Sequence, residues 1–403
     1  MVKENFIMKK ALYLSIDGLL DPLGQSQIFP YIKKLSENNI FFYICTIENK
    51  KNKNKLKKFN NEIRKYPNTN WKYAFFSKKK GKFNRILELS LLYLIFIKTI
   101  FNKKIDIIHC RSYLPMFICL PLKIFSKKKI IFDTRGSWFD ERIDGGMLKT
   151  SGLDFLVYKF LKKIEYLLFK ISDHVVFLTE KSITAINQNY ILNKNYSIIP
   201  CAADYELFKI INQREKDQIK KELGINSKFV LTYSGSIGSW YNLEQTLDFF
   251  KKFYEVNSDV KFIFLTQNNI DFKSYNLPNQ IKKKLLFISS SRQNIPKIIG
   301  ISNLTICFIK SSNSKLFSSP TKIAESFGCG IPVVYNSNIG DLDKDIQYME
   351  AGFLLNKEKF IDKKDFQKII DNQINYNLIR NATFKKYSLT KAIEKYLSIY
   401  MSL

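Results

Sequence analysis

The chain is poor in the side chains that hold metals or form covalent cross-links. Its 403 residues include two histidines, His109 and His174, and six cysteines with no C-x-x-C pair, too few ligands for a zinc centre. Several cysteines lie in apolar runs and all six read as reduced core thiols rather than a disulfide framework. No apolar run approaches the roughly 18 residues needed to span a bilayer. The longest, residues 89–97, reads as a core helix in preference to a membrane-surface element. The basic start MVKENFIMKKALYLSID ends its apolar run at Asp17 with no small-residue cleavage site, so no signal peptide is expected and the cytoplasm is the expected compartment. GxGxxG and P-loop motifs are both missing, which disfavours the dehydrogenases and kinases built on them. Acids are scarce too: 36 Asp and Glu stand against 65 Lys and Arg, a net charge of +29.

That imbalance raises nucleic acid and anionic membrane as partners. The charge is spread over runs such as 50–58, 78–82, 127–129 and 282–284, without the regular aromatic interleaving of a single-strand platform, so no nucleic acid is expected. Lys, Asn, Ile and Phe are abundant throughout, and part of the charge is compositional. What survives the discount is an attraction to an anionic membrane leaflet. Arginine, by contrast, is rare. Four of the eight, Arg111, Arg135, Arg142 and Arg292, fall in or beside polar segments at strand ends, where a bidentate fork is wanted rather than mere solubility.

At this length the chain suits two domains of about 200 residues each, with the boundary near residue 205. The stretch that organises it is 318–335, SSPTKIAESFGCGIPVVY. Ser319 can cap a helix, Pro320 suits its first position, and Gly328 and Gly330 stop it before the apolar run 331–335. With the apolar strand 304–309 upstream, this makes a strand–loop–helix–strand unit whose helix start lies at the carboxyl end of a parallel sheet. A helix N-terminus, the Thr321 hydroxyl and the Lys322 cation together suit a phosphate, and Glu325 lies one turn deeper on the same face. Such a pair fits a nucleotide sugar, phosphate against lysine and ribose against glutamate. A surface Lys322–Glu325 ion pair on a capped helix is the competing reading.

Elsewhere, 11–15 reads as the first buried strand and 17–27 as a polar loop in which Gly24 lets the backbone approach a ligand and Gln25 offers hydrogen bonds; an ordinary strand-to-helix turn is the alternative. Residues 105–110 form a strand ending at His109 and Arg111, and 130–133 one ending at Arg135. The segment 132–146, FDTRGSWFDERIDGG, combines Asp133, Asp140, Glu141 and Trp138, carboxylates for sugar hydroxyls and an aromatic plane for a ring; a structural loop with internal ion pairs is the alternative. A long amphipathic helix covers 153–171. In the second half, strand 229–233 leads into Gly235, Ser236, Ile237 and Gly238, a glycine turn able to present amides to phosphate. Trp240 and Tyr241 follow it, Arg292 follows strand 285–288, and the final helix covers 389–402.

SPTKIAESFGCGIPVV resembles the donor-binding segment of family 4 glycosyltransferases, and YLSIDGLLDPLGQSQIFPYIKKL, HCRSY, SDHVVFLTE, IPCAAD and YSGSIGSWYNLE resemble that family in the same order. The resemblance spans nearly the whole chain. It implies an α/β GT-B fold of two Rossmann-like, doubly wound domains facing a cleft: an acceptor domain over 1–205, a nucleotide-sugar domain over 206–385, and a helix over 386–403 returning to the first. It implies retention of anomeric configuration and no cofactor, the nucleotide diphosphate sugar being the donor substrate. Lys322, His109 and Arg135 are then the candidate catalytic residues, and Gly235, Ser236, Gly238, Arg292, Ser319, Thr321, Lys322 and Glu325 the candidate donor site. Gly24, Gln25, Arg111, Trp138, Asp140 and Glu141 are the candidate acceptor site, for a glycan or lipid-linked glycan at the cytoplasmic face of the membrane. A nucleotide-sugar epimerase of similar fold and a non-catalytic basic protein on membrane or RNA are the rivals. The sequence departs from the family where many members carry a second glutamate eight residues before Glu325, since Phe317 stands there, and where many carry Arg and Lys in the glycine turn. Asp341, Asp343 and Asp345 satisfy the D-x-D spacing of metal-dependent transferases, but no required metal is expected.

Overall fold

The computed structural model describes residues 8–76, 82–186, 195–238, 240–268, 275, 277–355 and 363–403. The basic start read as no signal peptide has its first seven residues outside them, and most of the basic run 78–82 lies outside them too. The chain divides into two compact units, residues 1–199 with 392–403, and residues 200–391.

Seven parallel strands make the sheet of the first unit: β1 (Lys9–Ser15), β2 (Ile40–Asn49), β3 (Thr69–Phe76), β4 (Ile107–Arg111), β5 (Lys129–Asp133), β6 (His174–Phe177) and β7 (Tyr196–Ile198). They lie in the order β3-β2-β1-β4-β5-β6-β7. Helices cover both faces, so the inner strands read as continuous apolar runs, and Ala11 to Leu14 and Ile107 to Cys110 are all buried. Strand order reverses between β1 and β4. Their carboxyl ends therefore open the crevice where such sheets bind ligands.

The second unit repeats the design with β8 (Phe229–Ser234), β9 (Val260–Leu265), β10 (Leu285–Ile288), β11 (Leu304–Cys307), β12 (Val333–Asn336) and β13 (Gly352–Leu355), in the order β10-β9-β8-β11-β12-β13. Alternation sorts its core: Phe262 and Phe264 pack with Phe250 and Phe253 on one face, while Ile263 and Leu265 pack with Ile323 and Phe327 on the other. The switch point falls between β8 and β11.

Two helices of the first unit were legible as apolar segments. The helix Lys82–Asn102 buries Leu92, Phe96 and Ile100 but leaves Leu94 and Phe101 exposed, so one stripe of it is core. The final helix, Leu389–Ser402, starts with its Leu389 amide on the Ala203 carbonyl of the second unit and from Ala392 onward belongs to the first, where it crosses back over the sheet. Among the described residues no helix is long and apolar enough to cross a membrane.

Candidate functional site

The helix Thr321–Gly328 follows β11 and is buried along nearly its whole length. Pro320 is its N-cap and no side chain caps it, because the Ser319 hydroxyl accepts instead from the Cys201 amide at 3.1 Å. The expected Ser319 cap is thus corrected: the serine ties the loop to the start of the unit. Ile323 donates to the Pro320 carbonyl at 3.1 Å, while the Thr321 and Lys322 amides find no acceptor among the described residues. At the other end Gly330, at φ +72°, has the Tyr376 carbonyl 2.5 Å from where a Cβ would stand, so only glycine fits the turn into β12.

Lys322 is 9% exposed, and among the described residues its ammonium has no hydrogen-bond partner. The competing reading, a surface ion pair with Glu325, is excluded on both counts: Lys322 is buried and Glu325 bonds Arg292 Nη1. The lysine lies over the Tyr241 ring at 3.6 Å and the Tyr233 ring at 4.3 Å. Aromatic faces compensate a cation only in part. Burial accordingly pulls the ammonium down to about 8, against the upward pull of Cys307 and Glu325. A charge stored in this way is an incomplete site.

What faces it is the glycine turn after β8. Gly235 and Gly238 have φ of +117° and +127°, and a Cβ on Gly235 would lie 3.1 Å from Lys322 Cε and Nζ. The sequence reading of four presented amides narrows here. Gly235 N–H already donates to the Leu265 carbonyl at 2.9 Å and Ile237 N–H to Asn268 Oδ1 at 3.0 Å. Ser236 and Gly238 keep amides with no acceptor among the described residues. Trp240 lies beneath a second buried lysine, Lys315, at 3.6 Å, so both aromatics of the turn pack on cations. Arg292 is held by Glu325 and stacks over Phe208 at 4.7 Å.

An anion seated against Lys322 would restore its proton, and this makes binding depend on pH. Affinity for a diphosphate is expected to be flat below about pH 8 and to fall as pH rises through that value, roughly tenfold per unit, as the empty site sheds the proton it must regain. Nucleotide titrations by calorimetry between pH 6.5 and 9.5 check this, with proton uptake appearing above pH 8.

In the first unit, the strand ends converge on a carboxylate that sequence reasoning noted but did not select. Asp133, closing β5, has His109 Nε2 at 3.6 Å, Arg111 Nη1 at 3.8 Å and Arg135 Nη1 at 3.7 Å, and accepts from the Tyr396 hydroxyl at 3.1 Å. Burial would raise its pKa, but Arg135, His109 and Arg111 outweigh burial and hold it at about 2. Arg111 reaches on to Asp17, Nε to Oδ2 3.5 Å, and Arg135 donates to Gln27 Oε1 at 3.2 Å. Arg135 adopts φ +57°, a left-handed backbone that costs a non-glycine residue roughly 1 kcal/mol.

The candidate catalytic His109 and several candidate acceptor residues are spent internally. His109 is 2% exposed, 2.6 Å from the Tyr400 hydroxyl and packed on Tyr13, and burial lowers its pKa, so it is a neutral positioning group and not a ligand contact. Arg111 is equally enclosed. Gly24 sits in the short helix Pro22–Gln27, where a Cβ would be 2.0 Å from the Gly18 carbonyl: its close approach is to its own chain, not to a ligand. Gln25 donates to the Leu19 carbonyl at 2.6 Å. Asp140 accepts from Ser137, from Tyr158 at 2.6 Å and from Lys162 at 3.1 Å, which is the structural ion-pair reading of that segment. Trp138 carries the Arg142 guanidinium at 3.8 Å, and Glu141 stands beside Gly136, both half-buried on the helix Trp138–Asp144. Asp341 and Asp345 bind Lys386, at 3.4 and 2.6 Å, and Tyr387 donates to Asp345. The outer two aspartates of the D-x-D run thus serve an ion pair, and the shared Asp343 accepts from the Asn338 amide at 3.1 Å.

Two residues escaped the sequence reading. Asp17 carries no signal that separates it from the rest of its polar loop. Arg380 donates to the Tyr205 carbonyl at 2.8 Å, the Phe208 carbonyl at 2.6 Å and the Gly328 carbonyl, clamping the C-terminus of the 321–328 helix. The scarcity of arginine was the available signal for it.

No family model matches the chain, and no curated protein matches it in sequence. Solved structures match it along nearly its whole length. The Anabaena protein HepE, in complex with UDP and glucose, is 14% identical with a TM-score of 0.68 over 98% of this chain and 100% of that one. Sucrose-phosphate synthase from Thermosynechococcus elongatus is 10% identical with a TM-score of 0.71 over 98% of each chain. A glycosyltransferase from Rickettsia africae is 14% identical with a TM-score of 0.64, again over 98% of each. With its two parallel sheets and this likeness, the chain has the fold of the GT-B glycosyltransferases.

Proposed function

We propose that the protein is a retaining glycosyltransferase of the family 4 type. It would move a sugar from a nucleotide diphosphate sugar to a hydroxyl of a glycan or lipid-linked glycan, in assembly of a surface polysaccharide such as capsule, O-antigen or exopolysaccharide at the cytoplasmic face of the membrane. The observation that carries the reading is Lys322: a buried ammonium without an acceptor among the described residues, at a helix N-terminus, against a glycine turn at the switch point of a parallel sheet.

In this reading the leaving diphosphate gains negative charge as the glycosidic bond breaks. Lys322, the Thr321 and Lys322 amides and the Ser236 and Gly238 amides stabilise it, with no metal required. The donor stabilises Lys322 in turn. Glu325, turned by Arg292, takes the ribose hydroxyls, and this neutral ion pair does not replace the acid absent at Phe317. In the first unit Asp17 and Arg135, held by the Asp133 hub, would bind the acceptor hydroxyls. A front-face reaction needs no general base, which is consistent with a neutral, enclosed His109.

The test is a thermal-shift panel of nucleotide diphosphates and their sugars, with and without magnesium, beginning with the uridine compounds that HepE holds. One nucleotide is expected to stabilise the protein without metal, and Glu325→Gln is expected to weaken that nucleotide about tenfold, beyond any fall in midpoint from loosening Arg292. No response to any nucleotide would overturn the reading, and sugar turnover without an acceptor would replace it with an epimerase.

A further inference from the structure

The helix Gly152–Ile171 lies on the first unit with a face that nothing among the described residues covers. Leu153, Leu156, Val157, Phe160 and Leu167 are exposed, Leu153 by 80% and Phe160 by 62%. At about 100° per residue they form a single stripe, with the i, i+3, i+4, i+7 spacing that normally faces a core. The core side of this helix is elsewhere: Glu165, Leu168 and Phe169 are its buried residues.

Charge is arranged along the same stripe. Lys159, Lys163 and Lys170, all exposed, fall within about 40° of one another on one edge of it. The two acids of the helix lie off the stripe. Asp154 accepts from the Lys149 amide at 3.1 Å at the helix start, and Glu165 is buried against Lys162 and Tyr113. An apolar stripe about four turns long with a one-signed lysine edge is the arrangement of a helix lying in a lipid interface, its leucines among acyl chains and its lysines at headgroup phosphates.

We propose that this face of the 152–171 helix docks the first unit on an anionic lipid bilayer. A second copy of the chain is the poorer occupant, because it brings another +29 against the same lysine edge. A nucleic acid would use the lysines and leave the leucines in water. The docked face gives a place to the membrane named in the proposed function. It is tested without donor or acceptor, so its failure leaves the transferase reading standing.

The experiment is flotation of the full chain with phosphatidylcholine vesicles containing about a third phosphatidylglycerol, and with phosphatidylcholine alone. Binding is expected to the first and to be at least tenfold weaker to the second. The triple variant Lys159→Gln, Lys163→Gln, Lys170→Gln is expected to lower partitioning about a hundredfold and flatten its salt dependence, at about fivefold per lysine. Leu153→Gln, Leu156→Gln, Phe160→Gln is expected to lower it at least tenfold with an unchanged thermal midpoint, since the side chains removed are exposed. Three results would overturn the proposal: no binding of the wild type to either vesicle, binding by both triple variants equal to that of the wild type, or a wild-type dimer that the leucine variant makes monomeric without any lipid binding.

Discussion

Lys322→Met is expected to lower kcat/KM for the donor by about 10²–10³-fold and, in the same protein, to raise the thermal midpoint. The first effect follows from removing the charge that the proposed reaction sets against its leaving diphosphate, a loss comparable to that of an oxyanion donor. The second follows from the empty site. A buried ammonium with no acceptor among the described residues costs stability, and a pKa drawn from 10.5 to about 8 sets that cost on the order of 3 kcal/mol at pH 7. The sign with pH is fixed. Between about 8 and 10.5 the unfolded chain holds a proton that the folded lysine has lost, so wild-type stability rises with pH across that window as the cost disappears. Methionine has no such cost, and the gap in midpoint between variant and wild type should close over the same range. Scanning calorimetry of both proteins at pH 7 and pH 10 measures it. A variant that is inactive but no more stable at pH 7 would show that the ammonium has a partner in solution and is not waiting for one.

Arg380→Met is expected to destabilise the second unit by roughly 2–4 kcal/mol. Its guanidinium serves the carbonyls of Tyr205, Phe208 and Gly328, and methionine keeps the stem but leaves all three without that donor. Gly328 ends the helix that begins at Thr321. Loosening its end should therefore reach Lys322 and the proposed donor site. Arg380→Lys supplies one point charge where a fork is used and should recover less than half of the loss. Urea unfolding followed by tryptophan fluorescence checks the order wild type, lysine, methionine, and a methionine variant that unfolds with the wild type would show that the three carbonyls do not depend on the clamp.

The second unit was largely legible because its site is local in sequence. β11, the helix start, Lys322 and Glu325 fall within a few turns of chain, and helix-cap and strand signals are short-range. The glycine turn was legible as a turn, but which of its amides were already used depends on Leu265 and Asn268, and nothing in a G-x-x-G spacing specifies those partners. The site of the first unit was read less well for the same reason in reverse. Its polar residues were correctly gathered at strand ends, yet whether Asp140, Gln25 or His109 faces a ligand depends on Tyr158, Leu19 and Tyr400, each remote in sequence or invisible to periodicity. Strand β13 was missed outright, since four residues, half-exposed at a sheet edge, are too short a run to stand out. Rare residue types proved the better guide. The scarce arginines sit at Asp133, at Glu325 and at the clamp on Gly328, where planar, multidentate donors are needed.

The helix Leu389–Ser402 also sets an order of events during synthesis. The sheet of the first unit leaves the ribosome early, but Tyr396 and Tyr400, which cover Asp133 and His109, emerge only after residues 200–391 have been made. The second unit can complete its core while translation continues. The first must hold its cluster of charges uncovered until its closing helix emerges, so the half of the protein that is made first is the half that matures last.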